Sequence, residues 1–175
     1  MEKQNYLKEG RDLKTQKAEY VFNKISAYGT DISDYWGYGK DIVKHKVDVY
    51  KAGRELSVPR TRLLLHDVDK FFPKMFMRYA EWFYGPEGAK GTKNPKLKKE
   101  WRTMVNNHYA RSDHHHKEKD KVTALESLAD WYSAQKRATG YKPGFPTFRT
   151  WLDKNIDRFN VNPEAKAIVK TTLDS

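Results

Sequence analysis

Apolar residues in this chain recur three and four positions apart rather than in alternation, the period of helices that bury one face. An all-α fold follows. The same register carries ionisable residues that a helix core does not ordinarily accept. Ile42, His45, Val49, Ala52 and Leu56 form one ladder of a helix over about residues 34–56, so His45 turns inward with the hydrophobic side chains.

The remaining elements read in the same way. A first helix is expected over about residues 14–28, with Ala18, Val21, Phe22 and Ile25 on one face and Gly29 as its stop. Pro59 suits the first turn of a third helix that carries Leu63, Leu64, Leu65, His66, Asp67 and Lys70 until Pro73 interrupts it. The His-Asp pair then follows a buried leucine run. A fourth helix, about residues 74–84, is aromatic on one side through Phe76, Tyr79 and Phe83, and the loop GPEGAKGTKNP behind it reads as flexible.

A fifth helix from about Pro95 places Leu97, Trp101, Met104 and His108 on one face. If it stays straight, His115 lies seven residues on, roughly 10.5 Å along the axis, too far to share an ion with His108. Sharing therefore requires a break near residues 111–113, where Ser112 and Asp113 tolerate a turn. A sixth helix over about residues 121–137 holds Glu126 and Asp130 four apart beside Leu125, Leu128 and Ala129. Thr147 can cap a seventh with Trp151, Leu152, Ile156 and Phe159, and Pro163 opens a short last one.

With 175 residues, 38% of them hydrophobic, the chain suits one domain with one core. It has no cysteine, so disulfides and thiolate metal sites are excluded and any metal must be held by histidine and carboxylate. No apolar run approaches the roughly 18 residues of a membrane span, and a soluble, cytoplasmic protein is expected. The net charge of +11 favours anionic partners such as nucleotides, nucleic acid or acidic proteins. Five lysines between Lys90 and Lys99 form either a solvated loop or a phosphate-attracting lip.

One inward histidine is usually a hydrogen-bonded core residue. Here the set is larger: His45, the His66-Asp67 pair, His108, the histidines at 114–116 and Asp130 all fall near apolar faces. Burying several such groups without partners is costly, and a shared divalent cation offsets that cost for all of them.

The order of these residues resembles the HD-domain metalloproteins, whose signature is a helix histidine, an adjacent His-Asp pair and a distant aspartate on a later helix. Here these positions are His45, His66-Asp67 and Asp130. The sequence is similar above all to a phage and bacterial family with HDxxKF, an upstream histidine before an HH pair, and ExxxDW. The chain has HDVDKF (66–71), HYARSDHH (108–115) and ESLADW (126–131), so the resemblance spans about residues 45–131. It departs in carrying Ser112-Asp113 where that family often has Asn-Pro, in its third histidine, His116, and in lacking the Gly-Tyr-Pro extension of the cyclic-dinucleotide phosphodiesterases. The resemblance implies a single, compact HD-like helical bundle.

It also implies a metal-dependent phosphohydrolase acting on a nucleotide or related phosphate ester through a metal-activated water. Two imidazoles and two carboxylates suit Mn, Fe, Co, Ni, Zn or Mg. Lys70 is placed to hold a phosphate or protonate a leaving group, or else to pair with Asp67 or Asp69. Glu126 is a general base or the partner of a ligand histidine, and Arg62 and Arg111 are candidate phosphate clamps. If His108, His114 and His115 also bind, two ions fit, and resemblance to dinuclear-iron oxygenases of the same superfamily opens an oxidative alternative. A further alternative is a non-catalytic, basic nucleic-acid or protein-binding module with a structural metal. Against it, most aromatics sit at core spacing rather than exposed in a basic stripe.

Overall fold

The computed structural model describes residues 28–115, 119–159 and 161–175. The expected first helix and His116 lie outside the described residues, apart from Tyr28, which sits in a turn. Among the described residues every regular element is helical: α1 (Ile32–Glu55), α2 (Arg60–Leu65), α3 (Pro73–Phe83), α4 (Pro95–Arg111), α5 (Lys121–Ala138), α6 (Phe148–Asn155) and α7 (Pro163–Asp174). Short 3-10 turns occupy Val68–Phe71, Asp113–His115 and Ile156–Arg158. No described helix is long and apolar enough to cross a membrane.

The chain divides into two compact units. Among the described residues, one contains 28–39 and 76–102, the other 40–75, 103–115, 119–159 and 161–175. In the first, Trp82 stacks on Trp101 with ring centroids 4.7 Å apart, and Tyr28 and Leu97 are buried beside them. The loop expected to be flexible is closed by its own hydrogen bonds: Ala89 N donates to Trp82 O at 2.7 Å and Asn94 N to Glu87 O at 2.9 Å. A Cβ at Gly91 would stand 1.6 Å from the Pro86 carbonyl oxygen, so the tight fold of the loop explains its glycines.

The second unit is built around α5, where Thr123 through Asp130 are buried without a break. A surface helix buries only a stripe; α5 is enclosed on all sides here, so its polar residues have protein rather than water as neighbours. Asp120 caps it by accepting from Thr123 N at 2.7 Å. Val49 and Ala52 of α1, and Leu56 just after it, pack in the same core with Leu63, Leu128, Trp151 and Val169. Thr147 caps α6 as expected, and Asn162 caps α7 ahead of Pro163.

The third element differs from expectation. Helix α2 ends at Leu65, the chain extends at His66, and Asp67 takes a left-handed conformation with φ of 53°. Leu63 is fully buried, whereas Leu64 and Leu65 are 58% and 67% exposed, so the leucine run is not a buried one. The break has a geometric reason: neighbours on a helix point about 100° apart, and only a break lets His66 and Asp67 both turn inward.

Helices α1 and α2 meet at Gly53, where a Cβ would stand 2.4 Å from Leu63 Cδ2. Gly53→Ala should gain about 1 kcal/mol of helix propensity but lose roughly 1–3 kcal/mol to overpacking. A lower urea midpoint is expected, and a raised one would show that Leu63 moves aside freely.

Candidate metal centre

Four elements of the second unit deliver their ionisable side chains to one place. His45 comes from α1, His66 and Asp67 from the break after α2, His108 from the end of α4, and Asp130 from α5. Helix α4 stops at Arg111 and the chain refolds into the Asp113–His115 turn, the break on which a shared site depends. His108 Nε2 and His115 Nε2 consequently stand 3.0 Å apart.

Two groups of donor atoms, each within 4.8 Å of one another, share Asp67: His45, His66, Asp67 and Asp130, and Asp67, His108, His114 and His115. His45 Nε2 lies 3.3 Å from Asp67 Oδ2 and 3.2 Å from Asp130 Oδ1. His66 Nε2 lies 3.5 Å from both of those oxygens. On the other side, Asp67 Oδ1 is 3.1 Å from His108 Nε2 and 3.5 Å from His114 Nε2. Every residue named from the sequence as a metal ligand is therefore in the cluster.

His45, His66 and His108 share one pattern. Nδ1 of His45 is 2.9 Å from Ser133 Oγ, Nδ1 of His66 is 2.9 Å from Glu126 Oε1, and Nδ1 of His108 is 2.9 Å from Asp69 Oδ2. With Nδ1 fixed, Nε2 points inward, and Nε2 of His45, His66 and His114, together with Asp67 Oδ1, is buried without a hydrogen-bond partner. A buried polar atom left unpaired is costly. A carboxylate or hydroxyl behind each ring nitrogen is the arrangement that orients imidazole toward a cation, and the chemistry of this donor set fits a divalent metal.

Ser133 and Asp69 were not read as site residues from the sequence. Ser133 lies three residues after Asp130 on α5, so helical register alone could have shown it; Asp69 falls beyond the break, where register carries no information. Lys70 Nζ pairs with Asp67 Oδ2. Glu126 is buried and held from both sides, by His66 and by Arg62 Nε. Arg62 is also bound through Nη2 to Asp113 and Thr123. A cleft of about 560 Å³ opens beside the cluster, lined by Arg62, His66, Asp67, Phe72, Arg111 and Glu126 among others.

The match that places this chain covers residues 34–175. It belongs to a family of unknown function, DUF5662. The region that defines this DUF5662 member contains every candidate ligand from His45 to Asp130. No curated protein and no solved structure matches it.

The electrostatics of the cluster follow from its burial. Burial pushes the Asp67 carboxyl up, but Lys70, His66 and the neighbouring imidazoles of His108 and His114 together hold it well below the usual range. Burial likewise pushes Asp130 up and is outweighed by His45 and His66. For His66, burial lowers the pKa, yet Asp67, Asp130 and Glu126 raise it to about 10. His115 is driven down to about 3 by burial and by His114.

In the metal-free protein, protonated His66 contributes stability that is complete below its unfolded pKa of about 6.5 and is lost as pH rises toward 10. A cation requires the neutral imidazole, so it must displace that proton. Metal affinity should rise from pH 6 to pH 9 with proton release on calorimetric titration. An affinity independent of pH over that range would contradict a His66 that is protonated before binding.

Proposed function

We propose that this chain is a metal-dependent phosphohydrolase of the HD type, acting on a nucleotide or a related phosphate ester with two divalent cations. His45, His66, Asp67 and Asp130 would hold one ion, and Asp67, His108, His114 and His115 the other. The observation that carries the reading is the buried, unpaired Nε2 atoms of His45, His66 and His114, with Ser133 and Glu126 fixed behind His45 and His66 and an open cleft beside His66 and His114.

When bound, the cations would supply an acidified water and positive charge for a phosphoryl group. The chain supplies the rest. Glu126, bound to both His66 and Arg62, orients His66 and is not disposed as a general base. Burial lowers the pKa of Lys70, but Asp67 and Asp130 outweigh it and the pKa is raised, so the ammonium keeps its proton as an anion holder or leaving-group donor. Since Arg62 is committed to Glu126, Asp113 and Thr123, Arg111 at the cleft is better placed to meet a phosphate. Leu65, Val68 and Phe72 give the same cleft an apolar wall of exposed side chains, suited to a nucleobase.

Three imidazoles sharing one carboxylate in the His108 half favour a second reading, a dinuclear-iron oxygenase. One set of assays separates the readings. Manganese-loaded protein incubated with nucleoside mono- and triphosphates and simple phosphate esters should release phosphate, and chelation should abolish the release. Lys70→Ala should lower kcat by roughly 10² to 10⁴-fold, the usual weight of a proton donor, with metal content retained. Oxygen uptake by iron-loaded protein without phosphate release would favour the oxygenase. Neither activity in protein with full metal content would leave a metal-stabilised binding module.

A further inference from the structure

The guanidinium of Arg62 reaches three acceptors that belong to different parts of the centre. Nε pairs with Glu126, and Nη2 donates to Asp113 Oδ2 at 2.7 Å and to Thr123 Oγ1 at 2.9 Å. The other oxygen of Glu126 meets His66 Nδ1 at 2.9 Å and stands 3.7 Å from His114 Nδ1. Asp113 opens the 3-10 turn that carries His114 and His115. One planar cation thus grips the residue that orients a histidine of the first ligand group and the turn that supplies two histidines of the second.

We propose that Arg62 is a positioning residue that couples the two halves of the metal centre, holding the Asp113–His115 turn in register with Glu126 so that the second ion finds its ligands preformed. This rests on the two-ion reading above and is independent of the reaction catalysed.

The fold makes such a tie necessary. The turn spans three residues between the end of α4 and the start of α5, and a helix that short has little stability of its own. Ser127 of α5 also anchors it, its hydroxyl donating to the His114 carbonyl at 2.6 Å. That bond fixes the backbone of the turn, whereas Arg62 fixes its distance from Glu126 and hence from His66. Arginine suits the task because its donors form a rigid fork; an ammonium is a single point and cannot serve all three acceptors in the same geometry.

The test is calorimetric titration of the metal-free full chain with Mn²⁺, together with the electron paramagnetic resonance spectrum at two equivalents. Wild type should take up two ions and give the spectrum of a spin-coupled pair. Asp113 is 59% exposed on its side chain, so Asp113→Ala should fold. It should lose roughly 10- to 100-fold in affinity for the second ion, the usual weight of an outer partner, keep the first, and give the signal of isolated Mn²⁺. Arg62→Ala should weaken both ions, and Arg62→Lys should not restore the coupled spectrum. Thermal melting of each variant checks that it is folded. Wild-type affinities and a coupled spectrum in Asp113→Ala would overturn the proposal. So would a wild type that binds one ion, since nothing would be left to couple. Two coupled ions in a protein that releases no phosphate would refute the hydrolase while leaving the Arg62 result to stand or fall on these variants.

Discussion

Asp67 lies where the histidines of α1, of the break after α2, of α4 and of the Asp113–His115 turn meet, and each of its oxygens faces imidazole nitrogens from a different candidate ligand group. Taking a carboxylate this far out of water costs several kcal/mol unless it is fully compensated. Lys70 compensates part of the cost. His66 compensates more of it, and the Nε2 atoms of His45, His66 and His114 around Asp67 have no hydrogen-bond partner. A divalent cation on each side of the carboxylate could satisfy all of these atoms at once.

Much of the second unit can be understood as support for that convergence. The left-handed backbone at Asp67 is strained for a residue with a side chain, and it is held by the packing of Leu63 in the core and the termination of α2 at Leu65. Helix α5 delivers Glu126, Asp130 and Ser133 from a single rigid face to three different neighbours: His66, the cluster itself and His45. Because Glu126, Asp130 and Ser133 are themselves buried on α5, those side chains have few alternative rotamers, and the imidazoles they contact inherit that rigidity.

Where the sequence was legible, regular helical register was the reason. His45 on the ladder from Ile42 to Leu56, and Glu126 with Asp130 four apart, could be assigned to inward faces because helices α1 and α5 run uninterrupted through them. The cap at Thr147 and the start of α7 at Pro163 were legible for the same local reasons. Register fails where a helix breaks. The Leu63–Lys70 stretch reads as one helix because Pro73 is the first residue there that cannot continue it, yet α2 stops eight residues earlier. What decides that stop is the joint demand of His66 and Asp67 on one point in space, a tertiary constraint with no local signal. The role of Asp69 depends on the same break and was hidden with it, and that of Arg62 depends on contacts with Glu126, Asp113 and Thr123 that are far from it in sequence. The break after Arg111 was legible only conditionally, from the distance that a straight helix would impose.

Two cations sharing the Asp67 carboxylate are located most directly by anomalous diffraction from crystals grown with Mn²⁺, collected near the manganese edge. Two peaks are predicted on either side of the Asp67 carboxylate, one among His45, His66 and Asp130, the other among His108, His114 and His115, with ligand distances near 2.0–2.3 Å. No anomalous density within reach of Asp67 in metal-saturated crystals would contradict the account.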